Sequence, residues 1–418
     1  MAKTISEKIF SLKSESEAKA GSIVKAEVDF ALSQDGTSSL VIDAFNALGA
    51  KNLKFPDRYA LVIDHSVPSP NLGVSNIHKK MKDFASLTGA IMYKEGDGVC
   101  HQVIMEHGHA LPSDLIAGAD SHTCTYGALN CFSTGMGSTD IAIIIATGKN
   151  WFKVPYSVKI VLNGKLPQGV FSKDIILYVI GALGGSSCTY KAIEFEGSLI
   201  SDLSMAARFT MTNMAVELGA KAGLMQFDDK TEKWFKGKTD SIEFNAIKSD
   251  SGSDYEWVKE FDLSTLAPQV AKPHQVDSVV DVDDLVGTKI DQGFIGTCTN
   301  GRLEDLELAA KILKDKRVKS RLIVAPSSKD VLSQAQEKGL IDIFLSSGAL
   351  VLPPGCGPCV GTHGGVPADK EVVISTANRN FKGRMGNPNS FIYLGSPATV
   401  AVSALEGKIA DPRKYLDR

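Results

Sequence analysis

Three cysteines carry the clearest chemical signal in the chain. Cys356 and Cys359 form a CxxC on the turn GCGPC, and Cys298 sits on a separate turn between Gly296 and Asn300. Thiolates at this spacing suit soft metals, either zinc or an iron–sulfur cluster. A thioredoxin-like redox pair would explain the CxxC but not Cys298. Zinc has its own case, because His363 follows Cys359 at a ligand-like spacing and completes a three-cysteine, one-histidine set. A cluster has a different consequence. An electron-transfer 4Fe–4S centre normally uses four cysteines, so with three ligands one iron stays open to water or substrate as a Lewis acid. Cys124, two residues after His122, is the candidate for a fourth thiolate. Otherwise it reads, with Cys100, Cys131 and Cys188, as a small buried hydrophobe.

Acid–base groups accompany the cysteines. His65 follows Asp64, His122 lies two residues after Asp120, and His101 stands in GVCHQ. A carboxylate beside an imidazole raises its basicity and fixes its tautomer, which suits proton delivery to a leaving hydroxyl. His78, His107, His109 and His274 have no such setting and read as structural. In SMAARFTMTNMAVELGAKAG (204–223), a helix-like segment, Asn213 and Glu217 are four residues apart on one face among apolar neighbours. A half-buried carboxylate there needs a partner or a task. Arg379 and Arg384 share a loop with Asn378, and arginine forks pair bidentately with carboxylates.

Most of these residues fall where apolar, strand-like runs end. RYALVID (58–64), DLIAGAD (114–120), QGFIGTC (292–298), GALVLPP (348–354) and EVVIST (371–376) each lead into one reactive group, and RLIVAP (321–326) reads as a further strand. Helical periodicity covers 76–89, 301–316 and 328–339, and TISEKIFSLKS opens with a capping Thr4 and Glu7. Such alternation predicts an α/β chain with mostly parallel sheets flanked by helices. Ligands bind outside the carboxyl ends of such strands, so five reactive tips predict one site or two facing sites. Residues 154–171 read as a strand pair around the Asn163-Gly164 turn, and 248–275 as a linker. Three α/β domains are expected: 1–155 with the acid–base and substrate loops, 156–265 with the Asn213/Glu217 helix, and 266–418 with the cluster cysteines.

Composition excludes several alternatives. The 418 residues are 43% hydrophobic and 22% charged, ordinary for a soluble protein. With 45 Lys plus Arg against 48 Asp plus Glu, bulk electrostatics do not favour nucleic acid. The basic cluster from Lys311 to Arg321 reads as a solvated helix end. Seven cysteines in a chain with a charged N-terminus do not form a disulfide framework. No apolar run approaches the ~18 residues of a membrane span, so a cytoplasmic protein is expected.

The ordered motifs resemble the aconitase superfamily, in its branch of two-subunit dehydratases. They are QDGT (34–37), DH (64–65), GVCHQV (98–103), GADSHT (118–123), TNMAVELGA (212–220), FIGTCTNGRLEDL (294–306), GCGPCVG (355–361) and NRNFKGRMG (378–386). The resemblance implies an aconitase-like fold and a hydro-lyase that dehydrates or isomerises a small 2-hydroxy di- or tricarboxylate. It implies one 4Fe–4S cluster on Cys298, Cys356 and Cys359 with one open iron, returning His363 to a loop. It further implies that Asp64, His65, His101, Asp120, His122 and Glu217 serve catalysis. Gln34, Ser121, Asn213, Asn378, Arg379 and Arg384 match positions that hold substrate or orient the site. Single-chain aconitases continue into a swivelling C-terminal domain that is lacking here, so a small subunit is expected to supply it. A zinc-stabilised module without catalysis, or an RNA-binding relative, is the rival from another class.

Overall fold

The computed structural model describes residues 2–238 and 244–416. The expected alternation of strands and helices forms three mostly parallel sheets. Five parallel strands run in the order Ile91–Tyr93, Tyr59–Val62, Phe30–Gln34, Leu115–Gly118, Phe132–Gly135. Every residue of its three central strands is buried. A strand covered on both faces cannot alternate polar and apolar, which is why Tyr59–Val62 and Leu115–Gly118 read as continuous apolar runs; Phe30–Gln34, equally covered, ends in Ser33 and Gln34 and is not legible as one. A second parallel sheet has the order Ala222–Met225, Ala192–Glu196, Ser157–Asn163, Val258–Asp262. The third has a parallel centre of Phe391–Leu394, Val372–Ser375, Gln292–Ile295, Arg321–Val324 and Leu350–Val351. Gln269–Ala271 and Val279–Asp281 extend it antiparallel. At the N-terminus the helix Ile5–Lys13 carries the predicted Thr4–Glu7 capping box.

Three sequence expectations need correction. Asn163-Gly164 makes no hairpin: Ser157–Asn163 is a lone strand whose two neighbours, Ala192–Glu196 and Val258–Asp262, already fill both its edges. The supposed linker 248–275 contains two strands, Val258–Asp262 and Gln269–Ala271. Val258–Asp262 is an edge strand largely open to water, so its polar sequence resembles a loop. The helix expected over 204–223 stops at Asn213 and tightens into a 3₁₀ turn at Met214–Leu218. Thr210 and Thr212 bond back to the carbonyls of Ala206 and Arg208, and Gly219 closes the turn at φ +85°.

The first and third sheets meet at their carboxyl ends. The Cys356 amide donates to Asp64 O at 2.8 Å, and the Val99 amide to Ser327 O at 2.8 Å. Gly98, at φ +142°, sits so close to this seam that a Cβ would lie 2.7 Å from Ser327 O and from Ser328 Cα. Among the described residues no helix is long and apolar enough to cross a membrane.

Candidate active site

A cavity of about 310 Å³ opens between the facing strand ends. Its wall includes Gln34, His65, His101, Asp120, Ser121, His122, Cys298, Cys356, Cys359, Asn378, Arg379 and Arg384. The five reactive tips therefore form one site.

The three cysteines are buried yet reach this wall. Cys298 leaves its strand through Thr297, a β-branched residue held at φ +73° and braced by a Thr299 amide bond to its hydroxyl at 3.1 Å. Such a conformation is strained, and it persists because the surroundings fix it. Arg302 donates to Cys298 O at 2.5 Å and to Thr299 O at 2.8 Å, locking the turn from behind. Asn213 Nδ2 and Asn378 Nδ2 approach the Cys298 sulfur at 3.2 and 3.6 Å. Arg384 Nη2 reaches the Cys359 sulfur at 3.5 Å, and His65 Nδ1 the Cys356 sulfur at 3.7 Å. Burial pushes the Cys298 thiol up to about 12, with the neighbouring Cys359 adding to it. A thiolate there needs bound positive charge, which a metal centre supplies. Two buried atoms on the wall, Asn378 Oδ1 and Arg384 Nε, have no hydrogen-bond partner among the described residues. Three sulfurs around one cavity, those of Cys298 and Cys359 met by N–H donors, fit an iron–sulfur cluster.

The rival ligands stand elsewhere. His363 Nε2 lies 3.2 Å from His65 O and 3.2 Å from the Val67 amide, so the three-cysteine, one-histidine zinc set does not assemble. Cys124 points its sulfur at Asn213 O, 3.3 Å away, and stays off the cavity wall. Asp64, His65 and Cys356 do bring donor atoms within 4.8 Å of one another.

Asp120 is the hub of the acid–base groups. Its Oδ1 is 2.8 Å from His101 Nε2 and accepts the His122 amide at 2.8 Å. Its Oδ2 is 3.3 Å from Gln34 Nε2 and 3.6 Å from His65 Nε2. Burial acts to raise the Asp120 pKa, but His101 and His122 outweigh it and hold it well below the usual range. Asp64 grips His65 Nδ1 at 2.6 Å and accepts the Cys100 amide at 2.6 Å. Burial opposes a charged His65, yet Cys356 and Asp64 hold its pKa well above the ordinary value. Glu217 joins His122 Nε2 at 2.9 Å and Arg379 Nε at 2.8 Å, while Arg379 Nη1 donates to Ser121 Oγ at 2.9 Å. Asp64, Asn213 and Glu217 stand behind the wall, each gripping a group that lies on it.

Asp35 follows Gln34 at the same strand tip and has no spacing or neighbour in the sequence that marks it. Its carboxylate accepts the amides of Asp64, His65 and Ser66 at 3.2, 2.8 and 3.0 Å and meets His78 Nε2 at 3.2 Å. Burial acts to raise its pKa, but His78, His65 and these amides bring it to about 2. His78, read as structural, thus steadies the anchor of the His65 loop. An Asp35→Ala variant leaves three amides without an acceptor and is expected to lose about 3 kcal/mol of stability, read from its urea midpoint.

Thiols facing hydrogen-bonded His–carboxylate pairs at parallel strand tips form, on an α/β scaffold, the arrangement that metal-assisted acid–base chemistry requires. The sequence profile of the Aconitase family (aconitate hydratase) matches residues 7–289 and 283–407, and the chain belongs to that family. Membership makes it a hydro-lyase and implies a 4Fe–4S cluster. Among its relatives, 3-isopropylmalate dehydratase large subunit 2 of Archaeoglobus fulgidus is 52% identical over 100% of both chains. Large subunit 1 of the same enzyme from Thermotoga maritima is also 52% identical over 100% of both. A probable methanogen homoaconitase large subunit of Methanosarcina mazei is 48% identical over 93% of this chain and 99% of that one. The crystal structure of Thermococcus kodakaraensis aconitase X in its holo-form shares the fold, with a TM-score of 0.50 and 14% identity over 85% of this chain and 84% of that chain. Relatives described as large subunits imply a small-subunit partner.

Proposed function

We propose that the chain is the cluster-bearing large subunit of a hydro-lyase that isomerises 2-isopropylmalate to 3-isopropylmalate, the leucine-biosynthetic reaction. The observation that carries the chemistry is the opening of Cys298, Cys356 and Cys359 onto the same cavity as His65, His101 and Asp120. The substrate follows the names of relatives matched over their full length. A homoaconitase is the second reading, favoured by the Methanosarcina mazei relative. A dehydratase of methyl-substituted malates is a third.

Cys298, Cys356 and Cys359 would hold the cluster, which when bound supplies a Lewis acid for the substrate hydroxyl and an adjacent carboxylate. Asp64 orients His65 through Nδ1 and leaves its Nε2, 3.6 Å from Asp120 Oδ2, as one proton donor to the departing oxygen; His101, oriented by Asp120 through Nε2, is the alternative donor. Arg379 and Arg384 offer guanidinium forks to substrate carboxylates, with Gln34, Ser121 and Asn378 orienting them. His122, fixed by Glu217, presents its ring to the same space. The base for the carbon-bound proton is assigned to the swivel domain of the small subunit. The cytoplasmic location and the units 1–155, 156–265 and 266–418 belong to this proposal; each sheet falls within one of those ranges.

Anaerobically prepared chain is expected to contain about four irons and four labile sulfides. With its small subunit it should turn over 2-isopropylmalate faster than homocitrate, citrate or methyl-substituted malates. Stoichiometric zinc without sulfide would overturn the cluster and the chemistry with it. Fastest turnover of homocitrate would transfer the substrate to the second reading.

A further inference from the structure

Lys173 is completely buried near the start of the helix Ser172–Leu183. Its ammonium donates to Thr376 O at 2.9 Å and Ala377 O at 2.7 Å, the carbonyls immediately before Asn378 and Arg379. Among the described residues no carboxylate oxygen stands within 4.0 Å of that nitrogen. Asp174, the next residue, turns elsewhere and accepts the amides of Phe171 and Gln269, each at 2.8 Å. A buried ammonium that meets only neutral carbonyls is a costly arrangement. Burial brings its pKa down to about 7, and the groups that oppose this are first Cys298, then Cys359, Glu217 and Asp305. The cation thus sits behind the strand exit that carries Asn378, whose Nδ2 lies 3.6 Å from the Cys298 sulfur, and thiolate charge on the far side of that exit would supply the partner it lacks.

We infer that Lys173 is the fixed counter-charge of the cysteine-held cluster, its ammonium balancing the thiolates of Cys298 and Cys359 while fixing the backbone that presents Asn378 and Arg379. This rests on the cluster reading above. It makes Lys173 a positioning residue, off the cavity wall and out of contact with substrate.

The test is a Lys173→Gln variant, whose amide keeps hydrogen-bond donors and removes the charge; Lys173→Met serves if Gln does not fold. Melting temperature is measured on cluster-free and anaerobically reconstituted chain, together with the rate of iron loss to a chelator. The rise in melting temperature on loading the cluster is expected to be smaller in the variant than in the wild type. Iron loss is expected to quicken by about 10–100-fold, as for a residue supporting metal ligands. The reduction potential of the reconstituted cluster should fall, because a nearby positive charge favours the reduced form. A purely structural lysine predicts something else: both forms lose stability equally, with iron loss and potential unchanged, and that result overturns the inference. Wild-type chain that takes up no iron and sulfide would instead remove the cluster reading.

Discussion

A Cys298→Ser variant is expected to fold and to lose iron and dehydratase activity together. The hydroxyl is smaller than the thiol it replaces, and Asn213 Nδ2 and Asn378 Nδ2 already point at that position. The change in folding stability should therefore stay within about 1 kcal/mol. Metal binding responds differently. A cysteine can surrender its proton to a soft metal, and burial at about 12 makes that exchange depend on the metal's charge. A serine hydroxyl stays protonated and is a poor ligand for iron in a sulfur-rich site. Iron and labile sulfide per chain would be measured beside turnover by the two-subunit enzyme, and both should fall to background. Cys124→Ser is the control: that sulfur faces Asn213 O, and iron content should be unchanged. Full activity with an intact cluster in the Cys298→Ser enzyme would remove Cys298 from the ligand set.

What the sequence displayed, and what it hid, follows from where each residue sits. Fully buried parallel strands must be apolar throughout, so Tyr59–Val62, Leu115–Gly118 and Gln292–Ile295 stood out, and the polar residues that end them stood out with them. Because the strands of both sheets run their carboxyl ends into one seam, their tips alone place His65, Asp120, His122 and the three cysteines on one cavity wall. Edge positions gave the opposite signal: Val258–Asp262 has the composition of a loop because water covers much of it. Residues that act through backbone were hidden too. Asp35 binds three amides of a neighbouring strand's exit, and Lys173 binds two carbonyls 203 and 204 positions away. Neither partner set has a residue type to recognise. Asn213 and Glu217 were placed on one helical face, but the helix ends between them, and each reaches its partner from a different kind of turn. The motifs named these two residues; only the structure separates Asn213 behind the Cys298 sulfur from Glu217 beneath His122 and Arg379.

Asp120→Asn is expected to reduce kcat by about 10²–10⁴-fold while leaving the iron content intact. The carboxylate serves four neighbours with two oxygens: His101 and the His122 amide on Oδ1, Gln34 and His65 on Oδ2. An asparagine of nearly the same volume can keep only one of those faces. If its oxygen holds the His122 amide and His101, its NH₂ confronts the Gln34 amide nitrogen, another donor. The larger loss is charge. Asp120 is the anion beside both His101 and His65, and a neutral amide removes the charge that holds those two rings on the path of a proton to the leaving hydroxyl. Since no cluster cysteine hydrogen-bonds to Asp120, metal loading should stay at the wild-type level, and steady-state kinetics on fully loaded enzyme isolate the effect. Asp64→Asn makes the useful contrast, because Asp64 grips only His65 among the histidines and leaves the His101–Asp120 pair whole. If His101 carries the proton, Asp64→Asn should fall much less than Asp120→Asn; equal losses would move the proton to His65. A kcat within about threefold of wild type for Asp120→Asn would take the His101–Asp120 pair out of the chemical step and leave the His65–Asp64 pair to carry the proton.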